Sequence, residues 1–169
     1  MKQIALSNSN KVAIVDDDDF LYLKDYTWRL SANYVVTGHE LRTMHHEIVG
    51  HPLSGFEIDH INRNPLDNRK SNLRFVTHSE NTSNKGPVKS TSGYKGVYKK
   101  NGNYWAQTNL RKSELGCKYL GYFDSKVAAA VAYDNYAGQI YPGVAYQNFP
   151  NCVKERVYIN GFGTEVLKR

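Results

Sequence analysis

The chain has 169 residues, a length that holds one ordinary domain or two small ones. Its two cysteines, Cys117 and Cys152, are far apart and form no CxxC pair, so neither a disulfide framework nor a cysteine zinc site is indicated, which fits a reducing cytoplasm. No apolar run approaches the roughly 18 residues of a membrane span, and the N-terminus lacks the apolar segment of a signal peptide. We therefore expect a cytoplasmic protein with no membrane partner.

The net charge of +6 is unevenly distributed along the chain. Residues 1–50 carry −2, whereas residues 89–150 carry +5. A basic C-terminal half indicates a polyanionic partner, of which nucleic acid is the commonest. On charge alone, a basic surface that serves only solubility remains an equal alternative.

The first part of the chain is predicted to consist of short strands. Residues 12–15, 34–36 and 41–46 are β-branched or alternating stretches separated by Asn, Asp and Gly. The acidic run at residues 16–19 is predicted to be a solvated turn, with a metal site as the less favoured alternative. His45 and His46 fall in the third stretch and are predicted to be strand residues, with DNA contact as the alternative.

A polar segment rich in Asn, Asp, Arg and His follows at residues 51–87. Asp59 and His60 end a predicted strand there, and Asn72 comes next in the motif Ser-Asn-Leu-Arg. Thr77 and Glu80 then have the spacing of a capping box, which predicts a short helix containing Asn81. Two strands and a helix would bring Asp59, His60 and Asn81 together.

These residue types suit the hydrolysis of a phosphodiester, which requires a base for water and a cation that stabilises charge on the phosphate. His60 is the candidate base, and the side-chain oxygen of Asn72 is predicted to hold its other ring nitrogen. Asp59 and Asn81 supply hard oxygen ligands suited to Mg²⁺ or Mn²⁺. His78 competes with Asn81 as a ligand but falls in the capping turn, so Asn81 is favoured.

The same segment resembles the HNH homing endonucleases of phages. The resemblance covers roughly residues 1–85 and rests on these motifs: Ile58-Asp59-His60-Ile61-Asn62, Leu66-Asp67-Asn68-Arg69, Ser71-Asn72-Leu73-Arg74 and Glu80-Asn81. It implies that Asp59 binds the metal, that His60 is the general base and that Asn72 orients it. Asn81 stands at the last position of the motif, which is His or Asn in this family. Asn is the variant found in phage nicking enzymes.

Residues 86–93 form a short Pro/Gly/Ser/Thr segment that is the predicted domain boundary. Beyond it, residues 94–100, 103–111 and 118–123 alternate with period two, which predicts a three-stranded antiparallel meander. Ser125 is then predicted to cap a helix that begins at Lys126 and is ended by Gly138. The predicted apolar stripe of this helix consists of Val127, Ala128, Val131 and Ala132.

One face of the predicted sheet is suited to DNA. In the second strand, Tyr104, Ala106, Thr108 and Leu110 alternate with a polar set of Trp105, Gln107, Asn109 and Arg111. Tyr98, Lys100 and Tyr119 are predicted to share the polar face. Amide groups can bond base edges in a major groove and cations can hold phosphates. An ordinary solvent-facing sheet is the alternative.

This region resembles the AP2 DNA-binding domain over residues 93–150. The motifs that carry the resemblance are Gly93-Tyr94-Lys95-Gly96-Val97, Tyr119-Leu120-Gly121-Tyr122-Phe123-Asp124, Ala132-Tyr133-Asp134 and Asn148-Phe149-Pro150. The resemblance implies a three-stranded sheet that docks in the major groove with a helix behind it. The contact positions that it implies are Lys95, Tyr98, Lys100, Gln107, Asn109 and Tyr119.

Together these patterns predict an α+β protein: a ββα-metal nuclease core preceded by short strands, then an AP2-like three-stranded antiparallel sheet packed on one helix. The predicted domains are residues 1–88 and 89–150, with a C-terminal tail at residues 151–169. The predicted activity is metal-dependent, sequence-directed cleavage of double-stranded DNA by a monomer or homodimer in a bacterial or phage-infected cell. Alternatives are a DNA-binding regulator with an inactive nuclease fold and a restriction endonuclease that cuts both strands as a dimer.

Overall fold

A computed structural model describes residues 1–87, 90–108 and 118–150 of the chain. The fold is a mixture of α-helices and small β-sheets, which is compatible with an HNH domain. Backbone proximity divides the chain into two compact units, Met1–His78 and Ser79–Arg169. The predicted domain ranges 1–88 and 89–150 stay predictions, and the predicted tail at residues 151–169 lies outside the described residues.

The first unit is built from three small antiparallel sheets and two short helices. In chain order the elements are β1 (Lys2–Leu6), β2 (Ser9–Val15), α1 (Asp17–Leu23), β3 (Arg29–Ser31), β4 (Tyr34–Thr37), β5 (Arg42–Thr43), α2 (Met44–Val49), β6 (Phe56–His60), a 3₁₀ turn (Lys70–Asn72) and β7 (Leu73–Thr77). Strands β1 and β2 pair as a hairpin, β3, β4 and β5 form the second sheet, and β6 pairs with β7.

The core of the first unit lies between the β1–β2 hairpin, α1 and α2. Trp28 is its largest side chain, and the indole nitrogen donates to the main-chain oxygen of Leu23 at 2.8 Å, so the buried polar group is satisfied. The buried residues are Ile4, Leu6, Ala13, Val15, Leu23, Trp28, Val35 and Met44. This core fixes the hairpin and helices on which the residues of the site depend.

The strand predicted over residues 41–46 is confirmed only at Arg42–Thr43 and is wrong beyond it, because helix α2 begins at Met44. Met44 and His45 are buried and Ile48 packs against the core, a spacing that suits one face of a helix. His45 and His46 are therefore helical residues, not strand residues. Helical geometry turns them toward neighbours that an extended strand would not have reached.

The solvated turn predicted over residues 16–19 is also wrong, because Asp17, Asp18 and Asp19 form the first turn of α1. Carboxylates are favoured there by the partial positive charge of a helix N-terminus. Asp19 is buried and its Oδ1 accepts a hydrogen bond from Lys70 Nζ at 2.7 Å. The Oδ2 of Asp16 accepts from the main-chain nitrogen of Lys70 at 2.8 Å. The acidic run thus anchors the 3₁₀ turn.

The second unit contains a three-stranded antiparallel sheet followed by a helix. The remaining elements of the chain are α3 (His78–Asn84), β8 (Val97–Lys100), β9 (Asn103–Thr108), β10 (Lys118–Phe123) and α4 (Lys126–Ile140). Helix α3 begins at the last residue of the first unit, and the order of strands in the sheet is β10-β9-β8. Asn101 and Gly102 join β8 to β9 with φ angles of 51° and 84°, as a tight hairpin turn requires.

Helix α4 covers one face of this sheet and buries a stripe different from the predicted one. The predicted cap is confirmed, since Ser125 Oγ accepts from the Ala128 nitrogen at 3.1 Å. However, Val127 is 47% exposed, and Gly138 lies inside the helix instead of ending it. The residues that form the core are Val97, Ala106, Leu120, Phe123, Ala129, Ala130, Ala132, Tyr133, Tyr136 and Ala137. No helix within the described residues is long and apolar enough to cross a membrane.

Candidate active site

The hairpin of β6 and β7 carries the predicted nuclease residues of the first unit. Its register places Asp59 opposite Arg74 and His60 opposite Leu73. Both Asp59 and His60 are buried, at 6% exposure each. Charged or titratable side chains that are buried need polar partners, and the partners of these two define the site.

Asp59 is paired with the residue opposite to it on β7. Arg74 Nε donates to Asp59 Oδ2 at 2.9 Å, and a terminal nitrogen of the same guanidinium lies 2.8 Å from that oxygen. The Arg74 side chain is itself only 19% exposed. This ion pair balances the carboxylate charge at the end of β6 and fixes its orientation.

His60 is held by an asparagine, and that asparagine is Asn68. His60 Nε2 lies 3.2 Å from Asn68 Oδ1, while Asn68 Nδ2 donates to the main-chain oxygen of Pro65 at 3.2 Å. Because the amide nitrogen of Asn68 is a donor to Pro65, its oxygen is the acceptor, and the ring donates from Nε2. In the neutral ring Nδ1 is then the basic nitrogen. Burial lowers the pKa of His60, although the bond to Asn68 and the charges of Asp59 and Asp67 act to raise it.

The prediction that Asn72 holds the His60 ring is wrong. Asn72 Nδ2 donates to the main-chain oxygen of Asp67 at 2.7 Å and to Asn62 Oδ1 at 3.0 Å, and its Oδ1 accepts from the Asn62 nitrogen at 2.9 Å. These three bonds close the loop that connects β6 to the 3₁₀ turn. Asn72 therefore acts on His60 only through the loop that carries Asn68.

A salt bridge and the N-terminal hairpin complete the support of this loop. Arg69 donates to both carboxylate oxygens of Asp67 at 2.7 Å, and these bonds hold the pKa of Asp67 below its usual range. The main chain of Ile14 on β2 bonds the loop twice, to Leu66 at 2.7 Å and to Asn68 at 2.8 Å. Asn68 is thus fixed on both sides, which fixes the His60 ring.

Helix α2 places a second histidine against His60. The rings of His45 and His60 meet edge to face with centroids 5.4 Å apart. Thr43 Oγ1 lies 3.1 Å from His45 Nε2 and also bonds His46 Nδ1, and His46 stacks on His51 at 4.8 Å. Burial, followed by the neighbouring His46 and His60, lowers the pKa of His45 to about 3, so this ring is neutral at physiological pH.

The other two candidate ligands lie at the start of α3. His78 Nδ1 is 2.7 Å from Glu57 Oε1, an exposed pair at the open end of the hairpin, so His78 has a partner other than a metal. Asn81 lies one helical turn further, in the second unit. No group of three or more His, Cys, Asp or Glu that could hold a metal occurs in the parts of the chain that the structure describes.

In the second unit, the predicted polar face of the sheet is found on the side away from α4. Ala106 and Thr108 are buried at 0% and 2%, whereas Trp105 and Gln107, which alternate with them, are partly exposed. Tyr98 pairs with Trp105 across the strands and Tyr119 pairs with Gln107, so these four side chains share one face. Tyr122 pairs with Trp105 from the other side and joins this face, which the sequence pattern had missed.

Lys95 is engaged within the second unit. Its Nζ donates to the main-chain oxygens of Thr82 at 3.2 Å and Lys85 at 2.6 Å, and also to that of Ser83. A cation there interacts favourably with the carbonyl end of α3. The predicted contacts of Asn109 and Arg111 lie outside the described residues, as does the side chain of Lys100.

Residues 47–83 match the family model of the HNH endonuclease. The matched segment contains β6, the loop, β7 and most of α3, and with them Asp59, His60, Asn72 and Asn81. The match supports an HNH nuclease that acts on DNA. No curated protein matches the chain. No solved structure matches it either.

Proposed function

We propose that the chain is a metal-dependent DNA endonuclease in which His60 is the general base. The observation that carries the proposal is a buried imidazole whose Nε2 is bound to Asn68, in a segment that matches the HNH endonuclease. With Nε2 donating, Nδ1 is the nitrogen that takes the proton of the attacking water. Because burial lowers the pKa of His60, the ring is unprotonated and ready to accept it at neutral pH.

We propose that Asp59 would hold a hard divalent cation such as Mg²⁺ or Mn²⁺. Its carboxylate offers oxygen donors, the ligand type that these cations prefer, and Asn81 stays a ligand predicted from the sequence. When bound, the cation would stabilise negative charge on the phosphate and on the leaving oxygen. Arg74 holds the Asp59 carboxylate in place through its Oδ2.

We propose that Asn72 is a positioning residue. Its three side-chain bonds close the loop over residues 62–67, and this loop leads into Asn68. Asn68 is the residue that touches the base. A catalytic effect of Asn72 is therefore indirect and is accompanied by an effect on the stability of the first unit.

The sheet of the second unit is the proposed DNA-binding module, in line with the resemblance to the AP2 domain. Tyr98, Trp105, Gln107 and Tyr119 share its exposed face. Lys100, Asn109 and Arg111 are proposed contacts on the same module. Lys95, a contact position that the AP2 resemblance implies, is not among the proposed DNA contacts, because its ammonium is bonded to main-chain oxygens.

One such site cuts one strand, so we propose that a monomer nicks double-stranded DNA, as a homing-type enzyme would. The test is incubation with supercoiled plasmid and Mg²⁺, followed by quantification of nicked and linear product. Nicked circles should accumulate first, excess chelator should stop the reaction and Mg²⁺ or Mn²⁺ should restore it. Undiminished cutting in chelator would refute the metal-dependent site, and linear product without a nicked precursor would indicate a dimer that cuts both strands.

A further inference from the structure

Four aromatic side chains form a continuous strip across the exposed face of the β8–β10 sheet. We call Tyr98, Trp105, Tyr122 and Tyr119 the aromatic ladder. Tyr98 pairs with Trp105, and Trp105 pairs with Tyr122, across the three strands. A β-bulge between Tyr119 and Gly121 brings Tyr119 onto the same face as Tyr122.

The rings of the aromatic ladder contact one another in sequence. Tyr98 stacks on Trp105 with centroids 5.5 Å apart and planes 19° from parallel. Tyr122 meets Trp105 edge to face at 6.3 Å and Tyr119 at 5.5 Å. These contacts hold each ring in place before any ligand arrives, so little side-chain freedom remains to be lost on binding.

The aromatic ladder is exposed although its rings are large and mostly apolar. Tyr98, Tyr119 and Tyr122 are exposed to 37%, 50% and 62%. The opposite face of the same sheet is buried on α4, so these rings are not needed for the core. Contiguous exposed aromatic surface is uncommon on a soluble protein and marks a binding surface.

The charge of the sheet indicates a polyanionic ligand. Strands β8, β9 and β10 contain three lysines and no Asp or Glu. Residues 89–150 together carry +5. A segment that combines net positive charge with exposed rings has the features found where proteins hold a nucleic acid backbone and stack on its bases.

A cleft of about 440 Å³ adjoins the ladder at Tyr98. Its other lining residues include Gln107, Tyr133, Ser90, Thr91 and Lys85, which offer an amide, hydroxyls and an ammonium. This volume is within the roughly 300–1,000 Å³ of ordinary ligand sites. The cleft thus meets the exposed face at Tyr98 and Gln107 and is lined by groups that can bond the edge of a base.

We propose that the aromatic ladder binds single-stranded DNA by stacking on its unpaired bases. The proposal rests on the proposed function in taking the second unit as the DNA-binding part, and it specifies the form of DNA that this face holds. Bases in a duplex hide their faces in the stack, whereas unpaired bases expose them to aromatic rings. Every base has such a face, so binding should depend little on sequence.

The test is binding of the full chain to a thymidine oligomer of about 15 nucleotides, with a duplex of equal length in parallel and chelator present to prevent cleavage. Each stacked base contributes a factor of about 5 to 150 in affinity, so Tyr98→Ala and Tyr122→Ala should each weaken oligomer binding about 5-fold or more. Tyr26→Ala is the matched control, since Tyr26 is 38% exposed and lies in the first unit. It should bind like the parent.

Tryptophan fluorescence gives a second readout, because Trp28 is 1% exposed and Trp105 lies in the ladder. Oligomer binding should quench part of the emission, and the quenching should be absent in Trp105→Phe, whose remaining tryptophan, Trp28, is buried. Equal oligomer affinity in the parent and both tyrosine variants would overturn the proposal, as would a loss confined to duplex binding. A loss confined to duplex binding would leave the proposed nuclease function intact. If Tyr98→Ala or Tyr122→Ala dissociates a dimer in sedimentation, the aromatic ladder contacts a second copy of the chain and the proposal is overturned.

Discussion

Replacing Asn68 by alanine tests whether this residue orients the base. Asn68→Ala removes the bond to His60 Nε2 and the bond to the Pro65 oxygen, and the loss of the bond to His60 costs about 0.5–1.5 kcal/mol. If that cost falls on the transition state, cleavage slows about 2- to 12-fold. DNA affinity should not change, because the buried Asn68 is 1% exposed and cannot itself reach DNA.

Asn72→Ala is the matched control for Asn68→Ala. It removes three side-chain bonds. At about 1 kcal/mol each, the free energy of unfolding falls by about 3 kcal/mol and Tm by roughly 6–12 °C. Single-turnover nicking and thermal unfolding are measured on both variants. A parental rate for Asn68→Ala, together with a slow but fully stable Asn72→Ala, would show that Asn72 holds the ring and would refute the assignment.

Three further variants test the supports of the two units. Thr43→Val keeps the shape of the side chain but removes the hydroxyl that bridges His45 and His46, so nicking should slow several-fold while Thr43→Ser stays near the parent. Gly96→Ala should destabilise the second unit by about 3 kcal/mol in chemical denaturation, because Gly96 has φ +72° and a Cβ there would lie 2.0 Å from the ring of Tyr133. Arg69 lowers the pKa of Asp67, so the pair stabilises the fold above the unfolded pKa of Asp67, which is near 3.8. That contribution is lost as pH falls below this value. Acid unfolding of Arg69→Met should therefore begin at a higher pH than acid unfolding of the parent.

The sequence predicts a strand or a helix start where a single local pattern, such as alternation or a capping residue, is present. The alternation around Tyr104 and Ala106 predicted a half-buried strand, and the Ser125 cap predicted the start of α4. Helix α2 could not be read this way, because the segment from Met44 onward is short and its apolar residues suit either period. Burial of Met44 in a core built from distant strands decides for the helix.

The sequence could not predict which asparagine, Asn68 or Asn72, is the partner of His60. Both are asparagines in one loop, and the outcome depends on how that loop is folded. The main-chain bonds of Ile14, far away in the sequence, set the position of Asn68. Likewise Tyr122 was missed because strict alternation puts it on the face opposite to Tyr119, and only the bulge before Gly121 brings both to one face.

The most direct test of the central claim is single-turnover nicking and gel-shift affinity of His60→Ala with Mg²⁺. Removing the base takes away no proposed metal ligand and no residue of the second unit, so the rate should fall by about 10²–10⁴ while DNA affinity stays at the parental value. Asp59→Ala should lose at least as much activity and should also weaken metal binding. Cleavage by His60→Ala at the parental rate would contradict the account, and equal loss of cleavage and DNA binding would identify His60 as a structural residue.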